Sequence, residues 1–175
     1  MEPERVVGSR TVFEGNVLNL RVDDVVAADG HRATREVIEH RGAVGIVCVH
    51  DGDVWLVRQY RHPPQAVLLE IPAGKLNESE DPAVCAAREL VEEVGLRPRR
   101  LEHLVTYYTT PGITNERMHI YFTDDVEPAE GTTEAGEIIE VERWPVTKLR
   151  ELIDSGEIVD AKSLLGLSLF ALRGS

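Results

Sequence analysis

Apolar residues in the early part of the chain fall at every second position. Val6, Thr11-Val12-Phe13, Leu18, Leu20 and Val22 alternate with polar neighbours, which predicts half-buried strands joined at Glu14-Gly15. Asp29-Gly30 marks a hairpin, and Thr34 to Glu39 supplies its returning strand. Strands this few and this polar need a partner surface, either the rest of the chain or a second copy. The pattern then becomes more apolar. Ala43 to His50 and Val54 to Tyr60 flank Asp51-Gly52, a strong hairpin signal. Leu68 to Ile71 predicts a short strand that feeds Pro72-Ala73-Gly74. Leu101 to Thr109 and Met118 to Phe122 predict two more, separated by a loop from Thr110 to Glu116. Residues 124 to 137 are acidic and poor in apolar side chains and read as a mobile loop, after which Ile138 to Trp144 resumes a strand.

Helical spacing appears in three places. Asp81 is a good N-cap, Pro82 suits the first helical position and Gly95 suits the exit, so a helix is predicted from about Pro82 to Val94. Ala83, Ala87, Leu90 and Val94 lie on one side of it and are expected to face the core. Pro145 opens a second helix that runs to about Ser155, and Asp160 caps a last one that runs to about Arg173. The last helix carries Leu164, Leu165, Leu167, Leu169, Phe170 and Leu172, apolar around most of its circumference, so it is expected to be buried or to lie in an interface. Mixed strands with these helices predict an α+β or α/β sandwich rather than a doubly wound sheet. The predicted organisation is an N-terminal antiparallel β extension over residues 1–41 and a main domain over residues 42–175.

The first helix also concentrates charge. Glu89, Glu92 and Glu93 share an arc about 100° wide. Like charges at this spacing oppose the helix by roughly 0.2–0.5 kcal/mol per pair. Arg88 can relieve Glu92 from one turn below but cannot neutralise three carboxylates. A hard divalent cation can, and Mg²⁺ favours a few carboxylates together with water and phosphate oxygens. The ordinary alternative is a solvated acidic face.

The surroundings decide between the two. Gly74, five residues, Glu80, seven residues, then Arg88-Glu89-Leu90-x-Glu92-Glu93-x-Gly95-Leu96 matches every fixed position of the Nudix box. Such a match has a chance probability of about one in 10⁸ at average composition. The chain therefore resembles a Nudix hydrolase, and the resemblance implies an α/β/α sandwich with a mixed sheet over roughly residues 42–173. It also implies metal-dependent hydrolysis of a diphosphate linked to another group. Glu89 and Glu93 are then the expected metal ligands, with Glu92 acting directly or through water and the Ala73 carbonyl as a further ligand. Arg88 would orient these carboxylates, and Glu80 would sit near the metal. The implied cofactor is Mg²⁺, with Mn²⁺ as an alternative and two or three ions per site.

Outside the box, Pro111 lies sixteen residues after Gly95, within Thr110-Pro111-Gly112. That spacing, with Leu69-Glu70-Ile71-Pro72-Ala73-Gly74-Lys75, is similar to the ADP-ribose pyrophosphatase subgroup, which carries an N-terminal strand extension exchanged across a homodimer. This resemblance implies that Arg35 and Glu36 hold the adenine side, and that Arg61 and Glu70 contact the diphosphate and neighbouring sugar. Thr114 and Glu116 would lie near the terminal ribose, and Gly112 is a further expected substrate-binding residue. A surface ion pair is the plain alternative for Arg35 and Glu36. The general base of the subgroup is a glutamate on a loop before a late strand. Glu134, Glu137 and Glu140 compete for that role, and Glu137, directly before Ile138-Ile139, is the choice by position.

The expected reaction is hydrolysis of ADP-ribose to AMP and ribose 5-phosphate. The alternatives are hydrolysis of another nucleoside diphosphate sugar or dinucleotide, and a non-catalytic nucleotide-sensing module. The net charge of −12 over 175 residues and the lack of a basic tract argue against a nucleic-acid-binding surface. Cys48 and Cys85 lack metal-ligand spacing and fit small buried hydrophobes in a reducing compartment. The start at Met1 shows no signal segment, and the longest apolar run, Ala43 to Val49, is too short to span a bilayer. A soluble cytoplasmic protein with a small-molecule nucleoside diphosphate substrate and no membrane partner is expected.

Overall fold

The computed structural model describes residues 2–131 and 138–173. The chain forms two compact units, Met1–Gly42 with Tyr107–Arg117, and Ala43–Thr106 with Met118–Ser175. The first therefore holds, besides the N-terminal strands, the segment around Thr110-Pro111-Gly112.

In the first unit, β1 (Arg5–Glu14), β2 (Asn19–Val26) and β3 (Arg32–Glu39) form an antiparallel sheet in the order β1-β2-β3. Little of it is buried. Val25 and Asp23 are, and Asp23 accepts hydrogen bonds from Ser9 Oγ at 2.6 Å and Arg21 Nε at 2.9 Å. Val6, Val12 and Phe13 remain exposed on β1. Ile38 pairs with Thr114, and the His40 backbone N–H donates to Asn115 Oδ1 at 2.8 Å, which ties residues 110–116 to the end of β3.

The second unit is built on β4 (Ala43–His50), β5 (Asp53–Arg61), β6 (Ala66–Glu70), β7 (Ala73–Lys75), β9 (Glu102–Tyr108), β10 (Arg117–Thr123) and β12 (Ile139–Pro145). Their sheet runs β12-β5-β4-β10-β9, with β6 beside β5 and β7 beside β4. It is mixed. β4 and β10 are parallel, whereas β4–β5, β5–β6, β4–β7 and β5–β12 are antiparallel.

β4 is a nearly continuous apolar run because both its faces are covered. Val44, Ile46 and Cys48 pack with Cys85, Ala86 and Leu90 of α1 (Pro82–Val94) and with Tyr121. The alternate residues point the other way. Val47 pairs with Phe122, whose ring stacks on Phe170 of α3 (Ala161–Arg173) at 5.3 Å between centroids. Helices thus lie on both faces of the sheet, as the α/β/α expectation requires. A 3-10 turn over Val146–Lys148 leads into α2 (Leu149–Asp154), which buries Leu149 and Leu152.

Two sequence readings need correction. Residues 124–137 are not loop throughout, since β11 (Val126–Pro128) pairs antiparallel with β8 (Leu96–Pro98). Three-residue strands are too short to produce a readable alternation. The buried face of α1 is also turned toward its acidic stripe. Cys85, Ala86, Leu90 and Glu93 are buried, Ala83 and Val94 pack partly, and Ala87 is only half-buried. The periodicity located the helix but placed its inward side too far from the carboxylates.

Candidate active site

The α1 helix is fixed at both ends by local chemistry. Asp81 Oδ1 accepts the Ala83 N–H at 2.8 Å and the Val84 N–H at 3.3 Å, and Gly95 leaves the helix in the left-handed region at φ 74°. At its centre, Arg88 gathers three carboxylates. Its Nε and Nη2 reach the two oxygens of Glu80 at 3.0 and 3.1 Å, while Nη1 reaches Glu89 Oε1 at 2.8 Å and Glu92 Oε2 at 2.9 Å. The hydrogen bonds to Glu80, and after them the charge and hydrogen bond of Glu89, raise Arg88 well above the ordinary guanidinium value against its desolvation. Glu80 is correspondingly held below the usual carboxylate range, chiefly by Arg88 and further by the Asn77 N–H at 2.8 Å.

Glu93 is buried, and its Oε2 accepts the Ala73 N–H at 2.9 Å. That bond joins the helix to β7, where Gly74 closes the approach. A Cβ added at Gly74 would collide with the Glu89 carboxylate. The absent side chain is thus what lets Glu89 lie over the strand. Among the described residues, no three acids or histidines already converge as a metal cluster, and Arg88 stands between Glu80, Glu89 and Glu92 instead. In kind, the residues fit a hard divalent cation. The donors are oxygens, three carboxylates share one guanidinium, and the glycine leaves a cradle at the Glu89 carboxylate.

A second polar cluster lies in the same unit. Glu70, whose side chain is only 2% exposed, accepts from Arg61 Nε at 3.1 Å and Nη2 at 2.7 Å and from Lys162 Nζ at 2.6 Å. Lys162 also donates to Asp160 Oδ2 at 2.8 Å. Asp160 caps the start of α3 by accepting the Ser163 N–H at 3.0 Å and the Ser163 Oγ–H at 2.6 Å, and Ser163 Oγ accepts the Ile71 N–H at 2.9 Å. Burial alone would push the Glu70 carboxyl up, but Arg61 and Lys162 outweigh it and hold it below the ordinary value. Asp160 is likewise low, because Lys162 and Ser163 overcome its desolvation.

The structure brings Ala73, Glu80, Arg88, Glu89, Glu92 and Glu93 together on α1 and the segment before it, with Arg61 and Glu70 paired on the neighbouring strands β5 and β6. The other expected substrate contacts belong to the first unit. Arg35 is exposed and paired with Glu4 (Nε to Oε2 3.0 Å), not with Glu36, which stands opposite Val22 on β3. Glu116 accepts from Thr109 Oγ at 2.7 Å and faces His40 Nδ1 at 3.4 Å, and its N–H donates to Thr114 Oγ at 3.1 Å. Gly112 is open on the side where a Cβ would project. Glu134 and Glu137 lie outside the described residues, and Glu140 is exposed on β12 opposite Arg58.

Lys162, Asp160 and Ser163 were not identified as site residues from the sequence. A single lysine beside a capping aspartate on an otherwise Leu-rich helix was the available signal.

Comparison with known proteins identifies the family. Residues 39–165 match the NUDIX domain, and residues 4–38 match the nucleoside diphosphate sugar hydrolase N-terminal domain. The chain is 33% identical over 173 residues to an ADP-ribose pyrophosphatase of Bacillus subtilis (strain 168), covering 97% of this chain and 94% of that one. It is 31% identical, with the same coverage of each, to a methanol dehydrogenase activator of Bacillus methanolicus. A crystal structure titled as an ADP compounds hydrolase shares the fold with a TM-score of 0.89 at 24% identity, covering 99% of this chain and 96% of that one. The chain belongs to the Nudix hydrolase family.

Proposed function

We propose that this protein hydrolyses the pyrophosphate bond of ADP-ribose, giving AMP and ribose 5-phosphate, with a divalent cation bound at α1. The observation that carries this reading is the convergence of Glu80, Glu89 and Glu92 on one guanidinium, beside a buried Glu93 anchored on the Ala73 N–H. The similarity to the Bacillus subtilis ADP-ribose pyrophosphatase over nearly the whole chain supports the substrate.

Glu89, Glu92, Glu93 and the Ala73 carbonyl would hold Mg²⁺ or Mn²⁺, which would neutralise phosphoryl oxygens and make bound water more acidic. The chain's own residues do the rest. Arg88 orients its three carboxylates. The Ala73 N–H fixes Glu93, and Arg61 presents a guanidinium suited to diphosphate oxygens. Glu137 takes the proton of the attacking water, whose oxygen bonds to phosphorus as the bridging P–O bond breaks. Arg35, Glu36, Gly112, Thr114 and Glu116 contribute contacts to the nucleoside and terminal ribose. The exposed Val6, Val12 and Phe13 of β1 support assembly as a homodimer, which light scattering of the purified protein would test. No helix among the described residues is long and apolar enough to cross a membrane, in keeping with a cytoplasmic enzyme.

The test is incubation with Mg²⁺ and a panel of ADP-ribose, GDP-mannose, NADH and diadenosine polyphosphates, with products resolved by chromatography. AMP formed mainly from ADP-ribose is expected. Preference for another sugar nucleotide would replace the substrate, a reading also favoured by the match of residues 4–38. Nucleotide binding without turnover of any compound would favour a sensing module. For the base, Glu137→Gln should lose kcat with little change in affinity, and the same loss in Glu134→Gln alone would reassign the role.

A further inference from the structure

Nothing in the Nudix box accounts for Lys162. It is buried on an apolar helix, yet its ammonium lies 2.6 Å from Glu70 Oε2 and 2.8 Å from Asp160 Oδ2. Glu70 is the carboxylate that Arg61 grips with Nε and Nη2. The cluster therefore contains two acids and two cations and is neutral as a whole. Without the lysine it would carry one net negative charge next to the guanidinium, and an incoming diphosphate would meet repulsion across a poorly screened interior.

The same turn of α3 has a second tie. Asp160 holds Ser163, and Ser163 Oγ accepts the N–H of Ile71, the residue between Glu70 and Pro72. The start of α3 is thus bonded to the 70–73 segment through one side chain and one backbone amide. That segment ends at Ala73, whose N–H holds Glu93.

We propose that Lys162 is a positioning residue for anion binding, supplying the charge that keeps the Glu70–Asp160 pair from cancelling Arg61. The inference rests on the proposed role of Arg61 at a diphosphate. It assigns Lys162 to substrate affinity rather than to the chemical step.

The test measures binding of inorganic pyrophosphate with Mg²⁺ by calorimetry at pH 8.5, beside KM and kcat for ADP-ribose, in the full-length protein. In Lys162→Met, pyrophosphate binding and KM should both weaken about tenfold, the loss of one charge-assisted contact, with kcat within about threefold. Asp160→Asn/Lys162→Met, again balanced in charge, should recover most of that loss. Asp160→Asn alone, one unit more positive, should bind pyrophosphate more tightly than wild type. The single Asp160→Asn variant decides the matter even if Lys162→Met does not fold. A purely structural lysine would change the melting temperature and leave these ratios alone. Equal pyrophosphate affinity in wild type and Lys162→Met, or an Asp160→Asn variant no tighter than wild type, would overturn the proposal. If ADP-ribose is not turned over but the pyrophosphate ratios hold, the substrate reading falls and the role of Lys162 stands.

Discussion

The two carboxylate clusters of the second unit use similar parts to opposite ends. At the start of α3, Glu70 and Asp160 are matched by Arg61 and Lys162, and the acids accept short hydrogen bonds from those cations. At α1, the three carboxylates of Glu80, Glu89 and Glu92 all pair with Arg88. A balanced buried cluster offsets its cost of desolvation internally. An unbalanced one keeps mutual repulsion that a cation from solution can relieve. The difference suits the α1 cluster to a cation and the cluster at the start of α3 to an anion.

The largest effect should come from removing the charge of Glu93, the buried acid beside the Arg88 cluster. Glu93→Gln keeps an acceptor for the Ala73 N–H but removes a charge, so kcat with Mg²⁺ should fall about 10²–10³-fold. The melting temperature should stay within about 2 °C. A comparable loss of stability would mean that Glu93 belongs to the scaffold after all.

Gly74→Ala should come next. The added methyl meets the end of a flexible side chain rather than backbone, so the fold should tolerate it while the Glu89 carboxylate moves. A shift of this kind should lower kcat about 10- to 100-fold. Wild-type kinetics in this variant would show that the position of Glu89 does not matter.

Arg88→Met should sharpen the contrast in stability. It leaves three carboxylates without their shared cation, and denaturation in EDTA should show a loss of about 2 kcal/mol. Mg²⁺ should then restore stability by more than it adds to the wild type, through preferential binding to the folded state.

The smallest effect concerns pH. Glu70, Glu80 and Asp160 all sit below their ordinary values of 4.5, 4.5 and 3.8 in the folded protein. Their stabilisation is therefore complete above those values and is lost as pH falls through the lower folded ones. Denaturation curves should show stability nearly constant from pH 7 to about 5 and declining below the ordinary carboxylate range. Stability that rises on acidification through that range would contradict the depressed values.

Much of this was legible in the residue pattern, for reasons that differ by element. The limits of α1 were fixed by Asp81, Pro82 and Gly95, each acting on its own neighbours, and the Asp51-Gly52 hairpin depends equally on local chemistry. Arg88, Glu89, Glu92 and Glu93 could be read because they fall within six consecutive residues of one helix. Tertiary pairings could not. β7, β8 and β11 are three-residue strands defined by their partners, and the inward turn of α1 follows from the Ala73–Glu93 bond across 20 positions. Lys162 and Glu70 are 92 positions apart. Only the fold puts the start of α3 against the end of β6.

The central claim is that α1 carries an unbalanced acid cluster that takes up a divalent cation for hydrolysis. Titration of Mg²⁺ into the metal-free protein, read by calorimetry and by ADP-ribose turnover on the same samples, tests it directly. The account expects saturable binding, turnover that follows the same curve and stops with EDTA, and loss of both in Glu89→Gln/Glu93→Gln. Turnover that persists in EDTA, or Mg²⁺ binding that is undiminished in the double variant, would contradict it.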